Sequence, residues 1–261
     1  MPSITRTLLT LVLSLPLAAG AAVKTESVEY QDGDARLTGY LVYDDSIGEK
    51  RPGVIVVHEW WGLNDYARKR AEMLAELGYV AFALDMYGDN RVTEHASEAG
   101  GWLKQITENV DAWQRRALAG LDILKGQERV DSERLAAIGY CFGGATVMQM
   151  AYAGADLDGV VSFHGSLPPP SEAQQDNIKA RVLVAHGNAD PMVPPERVMA
   201  FQQALDAAGA DWQLVSYGGA KHGFTNPDAG KYGLEALAYD PKADARSWAL
   251  MQSFLAEVFA D

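Results

Sequence analysis

The chain of 261 residues holds a single cysteine, Cys141, so no disulfide can form within it. It contains no G-x-S-x-G pentapeptide, which excludes a serine at a nucleophile elbow of that pattern. Basic residues are in the minority, with 22 Lys and Arg against 35 Asp and Glu, for a formal charge of −13. That balance disfavours nucleic acid and anionic membranes as partners, because phosphate contacts need clustered cations. His58-Glu59 resembles the start of a zinc motif, but H-E-x-x-H would need histidine where Gly62 stands. No metal and no cofactor are therefore expected. Internal repeats, low-complexity tracts and long linkers are also missing, and composition assigns no oligomeric state.

At the N-terminus, one arginine (Arg6) precedes an apolar run over 8–17 and the small residues Ala18-Ala19-Gly20-Ala21-Ala22. A short basic region, an apolar stretch and an A-x-A site read as a secretory signal peptide, cleaved after Ala21. The run is short for a membrane span. Residues 1–21 are thus the expected leader and 22–261 a single domain, periplasmic or secreted. The leader carries one positive charge and no acid, so the remaining chain has a charge of −14. Export usually brings disulfides. A lone thiol there is either inert and buried or kept for use.

At 48% hydrophobic, the chain has ample material for a core. Strand-like and helix-like segments alternate. Strands are predicted over 35–43, 53–58, 79–84, 135–138, 159–163, 181–186 and 212–217. Helices are predicted over 66–77, 107–125, 145–150, 196–208 and 244–259. Runs such as Val54-Ile55-Val56-Val57 are apolar at every position, as in strands buried on both faces. The pattern implies an α/β fold, with a mainly parallel central sheet and helices on both faces. Ligands in such sheets bind at the carboxyl ends of the strands.

Gly139-Tyr140-Cys141-Phe142-Gly143-Gly144 joins a strand to a helix. G-x-nucleophile-x-G at that junction is a nucleophile elbow, with cysteine in place of serine. The glycines suit a strained turn crowded by its neighbours. The partial positive end of a helix would lie beneath the thiol. An acid and a histidine should follow in chain order, and Asp190 and His222 do, each just beyond a predicted strand. In that reading His222 takes the thiol proton, Asp190 fixes the imidazole tautomer, and Cys141 attacks an acyl carbon. Asp190 also suits a turn before Pro191, and His222 an ordinary loop. Glu59, at the end of a buried strand, needs a partner. Trp60, Trp61 and Tyr87 are candidates for an apolar substrate wall or for plain packing, and His164 is a candidate pocket residue. His186 reads as part of its turn.

Taken together, His58-Glu59-Trp60-Trp61-Gly62-Leu63, Leu84-Asp85-Met86-Tyr87-Gly88, the Cys141 elbow and the Asp190 and His222 segments resemble the dienelactone hydrolase family of α/β-hydrolases. The resemblance implies a Cys141-His222-Asp190 triad and a glutamate, Glu59, that contacts the cysteine. It also implies an oxyanion hole from the backbone N–H groups of Trp60 and Phe142. Enzymes of this kind that act on dienelactone hold its carboxylate with arginines. At the matching positions this chain has Gly88-Asp89 and Thr225-Asn226, with Arg91 nearby. The expected activity is therefore cysteine-dependent hydrolysis of a small-molecule ester, thioester or lactone other than dienelactone. A broad carboxylesterase acting on an envelope or polymer substrate, and a non-catalytic binding protein on the same fold, are the alternatives.

Overall fold

The apolar run predicted as a doubly buried strand is β3 (Arg51–Val57), and its side chains alternate between two cores. Val54 and Val56 join one core, and Ile55 and Val57 the other, because successive strand residues point to opposite faces. Each such side chain is fully buried and contributes about 1.5–3 kcal/mol. The computed structural model describes residues 23–260, so the predicted leader lies outside the described residues.

Eight strands form one sheet in the order β1-β2-β4-β3-β5-β6-β7-β8. They are β1 (Val23–Asp32), β2 (Ala35–Asp44), β3, β4 (Val80–Ala83), β5 (Val130–Tyr140), β6 (Gly159–Phe163), β7 (Arg181–Gly187) and β8 (Trp212–Tyr217). The β1–β2 and β2–β4 pairs are antiparallel, and the other pairs are parallel. The helices are α1 (Asp65–Glu76), α2 (Ala96–Thr107), α3 (Val110–Lys125), α4 (Phe142–Tyr152), α5 (Glu172–Gln175), α6 (Pro195–Ala207) and α7 (Pro241–Val258). Apolar faces of α1 and α7 cover one side of the sheet, and those of α3, α4 and α6 the other. This is the α/β-hydrolase architecture expected from the alternating pattern.

Two segments differ from expectation. The single helix predicted over 107–125 begins later, at Val110, and a separate helix, α2, precedes it. Asn109 is extended between them, and its side chain accepts from Ala112 N–H at 3.0 Å, which caps α3 and ends the helical run. Helix α2 fully buries only Ala99 and lays Trp102, Leu103 and Ile106, half-buried, against the core. Strand β1 was also not predicted. It is mostly exposed and is held by its hairpin with β2, which turns at Gly33 with φ +59°.

Chain order positions the site. Strand β3 pairs with β4 on one side and β5 on the other, so the direction of winding reverses there. The loops after β3 and β5 diverge at that point and leave a crevice at the carboxyl edge. Register pairs Val57 with Gly139, which brings the segment after Val57 beside the Cys141 turn.

Candidate active site

Cys141 sits between β5 and α4 with φ 55° and ψ −113°, a conformation costly for any residue with a side chain. Its neighbours make the turn possible. A Cβ on Gly139 would lie 2.0 Å from the Gly143 carbonyl oxygen, and one on Gly143 would lie 2.1 Å from that of Val57. A Cβ on Gly144 would meet Ser162 Oγ at 2.6 Å. Only glycine lets α4 start this close to β3 and β6. The Cys141 N–H donates to the Phe163 carbonyl at 3.0 Å, which pins the turn to the next strand. The thiol is half-buried rather than sealed.

His222 follows β8, and Asp190 follows β7. His222 Nδ1 and Asp190 Oδ2 are 2.7 Å apart, and both side chains are almost wholly buried. Asp190 Oδ1 accepts from the Met192 N–H at 2.8 Å. One carboxylate thus both closes its own turn and orients the histidine, so the two sequence readings of Asp190 coexist. Nδ1 carries the proton of this bond, which leaves Nε2 as the base. Among the described residues Nε2 is buried without a hydrogen-bond partner. Burial opposes a charged imidazole, but the charge of an ionised Cys141 and the Asp190 carboxylate outweigh it and raise His222 to about 10, so Nε2 holds the proton once the thiol has given it up.

Glu59 is 5% exposed. Glu59 Oε2 accepts a 2.6 Å hydrogen bond from Asn226 Nδ2. Burial pushes its carboxyl up to about 7, while Asn226 and the nearby His222 pull the other way. The N–H groups of Trp60 and Phe142 donate no backbone hydrogen bond within the described chain. Phe142 is the first residue of α4, so its N–H has no helical acceptor.

A cleft of about 300 Å³ opens over Cys141 and His222. Its walls include Trp60, Leu103, Trp113, Phe142, Met192 and Val193, and no lysine or arginine lines it. A larger groove of about 670 Å³, with Asn64, Arg68, Glu94 and Lys231 among its lining residues, contains none of the triad.

Three expected pocket residues lie elsewhere. Trp61 is 1% exposed and stacks on Tyr232 at 3.8 Å, drawn there by a separate small core. Tyr87 is buried behind Phe142, stacked at 5.8 Å, and its hydroxyl donates to the Trp60 carbonyl at 3.0 Å. His164 is fully buried edge-on to His222, and its Nε2 is 2.7 Å from Thr225 Oγ1. Burial holds its ring below the usual histidine range, and so does the neighbouring His222. None of the three lines the cleft.

The positions lacking arginine have other partners. Asp89 forms an exposed pair with Arg36 at 3.4 Å. Thr225 bridges His164 and Tyr66, and Asn226 holds Glu59. Arg91 is committed to the Tyr87 and Gly88 carbonyls and lies over the Trp102 ring, so it does not serve the cleft. His186, at the end of β7, is likewise buried and held below its usual value by burial.

Sequence reasoning missed Arg70. Its side chain is 5% exposed, and Nη2 donates to the Thr225 carbonyl at 2.5 Å and to Asp244 Oδ1 at 2.6 Å. It ties α1 and α7 to the loop that carries His222. Nothing in the sequence marks it, because Arg70, Thr225 and Asp244 meet only when α1 and α7 pack on the same face. Asp85 does have a signal, in Leu84-Asp85-Met86-Tyr87-Gly88. Its carboxylate accepts the N–H groups of Thr38, Tyr87, Gly88 and Asn90, which shapes the loop after β4.

Known proteins resemble this chain in sequence and fold. The model of the dienelactone hydrolase family matches residues 37–259. A solved structure of a dienelactone hydrolase-like promiscuous phosphotriesterase from metagenomic libraries is 42% identical, with a TM-score of 0.89, and covers 92% of this chain and 100% of its own. A Klebsiella pneumoniae structure provisionally named as a dienelactone hydrolase is 24% identical, with a TM-score of 0.72 over 90% of this chain and 99% of its own, and is similar in fold. A protein of Aquifex aeolicus, provisionally named carboxymethylenebutenolidase, is 26% identical over 88% of this chain and 96% of its own.

Proposed function

The chain belongs to the dienelactone hydrolase family, and from that premise we propose that it hydrolyses neutral esters, thioesters or lactones through an acyl-cysteine intermediate on Cys141. The observation that carries the proposal is a half-buried cysteine on a strained strand-to-helix turn, sharing one cleft with a histidine paired to a buried aspartate. In the first half-reaction the Cys141 proton passes to His222 Nε2, and Sγ attacks the acyl carbon. Charge that develops on the acyl oxygen is met by the N–H groups of Trp60 and Phe142. Collapse of the tetrahedral species expels the alcohol or thiol, which takes the proton from His222. Water, deprotonated by the same nitrogen, then frees the acid and restores the thiol. Glu59, close enough to His222 to interact with its charge, favours the imidazolium that forms in both steps.

Substrate class follows from the wall. An anionic ester would lose its hydration in an apolar cleft that offers no cation, so neutral substrates are favoured. Residues 22–261 form the catalytic unit in this reading, and the composition of residues 1–21 supports export of that unit; N-terminal sequencing of the secreted or periplasmic protein tests that point. Hydrolysis of neutral activated esters by the wild-type protein and by Cys141→Ala tests the chemistry. Activity in the first alone is expected, and equal activity in both would refute the cysteine mechanism. A second reading, neutral phosphotriesters, is favoured by the name of the 42% identical relative, and phosphotriesters belong in the same substrate panel.

A further inference from the structure

Taking the cysteine-hydrolase reading as its basis, we infer that His58 and Tyr87 are positioning residues that hold the Trp60 amide as an oxyanion donor. His58 follows β3 and is fully buried. Its Nε2 accepts the Met86 N–H at 3.2 Å, so the ring proton must reside on Nδ1. Nδ1 therefore donates to the Glu59 carbonyl, 2.5 Å away. The Gly62 N–H reaches the same oxygen only at 3.3 Å. Burial keeps the ring neutral, as this pairing requires, since an imidazolium could not accept from Met86.

The Glu59 carbonyl and the Trp60 N–H belong to one planar trans peptide. Fixing the carbonyl therefore aims the N–H in the opposite direction. The next carbonyl, that of Trp60, is held by the Tyr87 hydroxyl at 3.0 Å. Both peptide units around Trp60 are thus tied to residues from the loop after β4 or to the ring that spans the two loops.

The same rings reach the second donor. Tyr87 stacks on Phe142 at 5.8 Å, and His58 tilts against Tyr87 at 5.1 Å and Phe142 at 5.9 Å. Phe142 supplies the other N–H. One aromatic group of three therefore sets the spacing between donors that arise from different strands, β3 and β5. Neither His58 nor Tyr87 lines the cleft, so neither touches substrate.

The test separates oxyanion stabilisation from general damage. Two rates are measured on each protein: hydrolysis of a neutral activated ester, and alkylation of Cys141 by iodoacetamide. Alkylation forms a sulfur–carbon bond and expels iodide, with no oxyanion. His58→Leu should lower kcat by about 10²-fold, the lower end for loss of an oxyanion donor. KM and the alkylation rate should stay within about threefold. Tyr87→Phe keeps the ring stack and removes one bond, so it should lower kcat by several-fold with alkylation unchanged. His58→Asn, whose amide can still donate to the Glu59 carbonyl, should recover part of the loss. If His58→Leu does not fold, the other two variants carry the test. Equal losses in hydrolysis and alkylation, or unchanged hydrolysis in folded Tyr87→Phe and His58→Asn, would overturn the inference. Survival of wild-type turnover in Cys141→Ala would instead overturn the cysteine reading on which it rests.

Discussion

Replacement of Glu59 by glutamine gives the sharpest test of the buried charge arrangement. The Glu59 carboxyl is 5% exposed, and burial raises it from its usual 4.5 to about 7. An unfolded chain releases that proton near 4.5, so between pH 4.5 and 7 the folded state binds more protons than the unfolded state. Stability must then fall as pH rises through that window. At about 1.4 kcal/mol per unit, the full difference is about 3 kcal/mol. Below pH 4.5 both states are protonated and nothing is lost. Above pH 7 both are ionised and the cost is complete. Glutamine keeps the shape and can still accept from Asn226, but it does not titrate. Relative to wild type, Glu59→Gln should therefore gain about 3 kcal/mol of stability between pH 4.5 and 7, and the difference should be level above that. Urea unfolding of both proteins at half-unit pH intervals reads this directly. A difference that stays constant across the window would refute the account, because it would mean that Glu59 ionises in the folded protein at an ordinary pH.

Two further perturbations probe the supports of the triad. Asp190→Asn replaces the Nδ1 acceptor of His222 with a group that can donate, which favours the tautomer protonated at Nε2. A drop in kcat of about 10³–10⁴-fold is expected, with the unfolding midpoint little changed, and stopped-flow hydrolysis beside thermal melts checks both. Arg70→Met leaves Asp244 and the Thr225 carbonyl without their shared cation. Destabilisation by about 3–5 kcal/mol is expected, measured by urea unfolding at pH 7. A loss below 1 kcal/mol would show that the ion pair contributes little.

Much of this site was legible before any coordinate. Cys141, Asp190 and His222 each stand next to an apolar strand, and the chain order of the three types is itself a chemical pattern. The backbone donors, Trp60 and Phe142, came only from the resemblance to the dienelactone hydrolase family and not from the pattern of the residues themselves. Side-chain direction was not legible. Trp61 and Tyr87 looked like wall residues because they are large and near the motif, yet one stacks on Tyr232 and the other packs behind Phe142. Glu59 needed a partner, but its identity, Asn226, lies 167 positions away. Helix α2 and strand β1 escaped notice although α2 spaces Ala99, Trp102, Leu103 and Ile106 along one face; β1 is mostly exposed and only Ala99 of α2 is fully buried.

The sequence by itself determined the layered α/β architecture and the placing of the candidate residues at strand ends. Those depend on local quantities: unbroken apolar runs, the glycines around Cys141, and chain order. Only the tertiary structure decided which atoms meet. Reversal of winding between β4-β3 and β3-β5 opened the crevice, and the packing of α1 and α7 on one face brought Arg70 to the His222 loop. The two rings behind the Trp60 amide were set in the same way, by the meeting of the β3 and β4 loops. A hydrogen bond between residues tens of positions apart leaves no periodic trace in the chain, because it depends on how whole elements pack and not on the residues beside it.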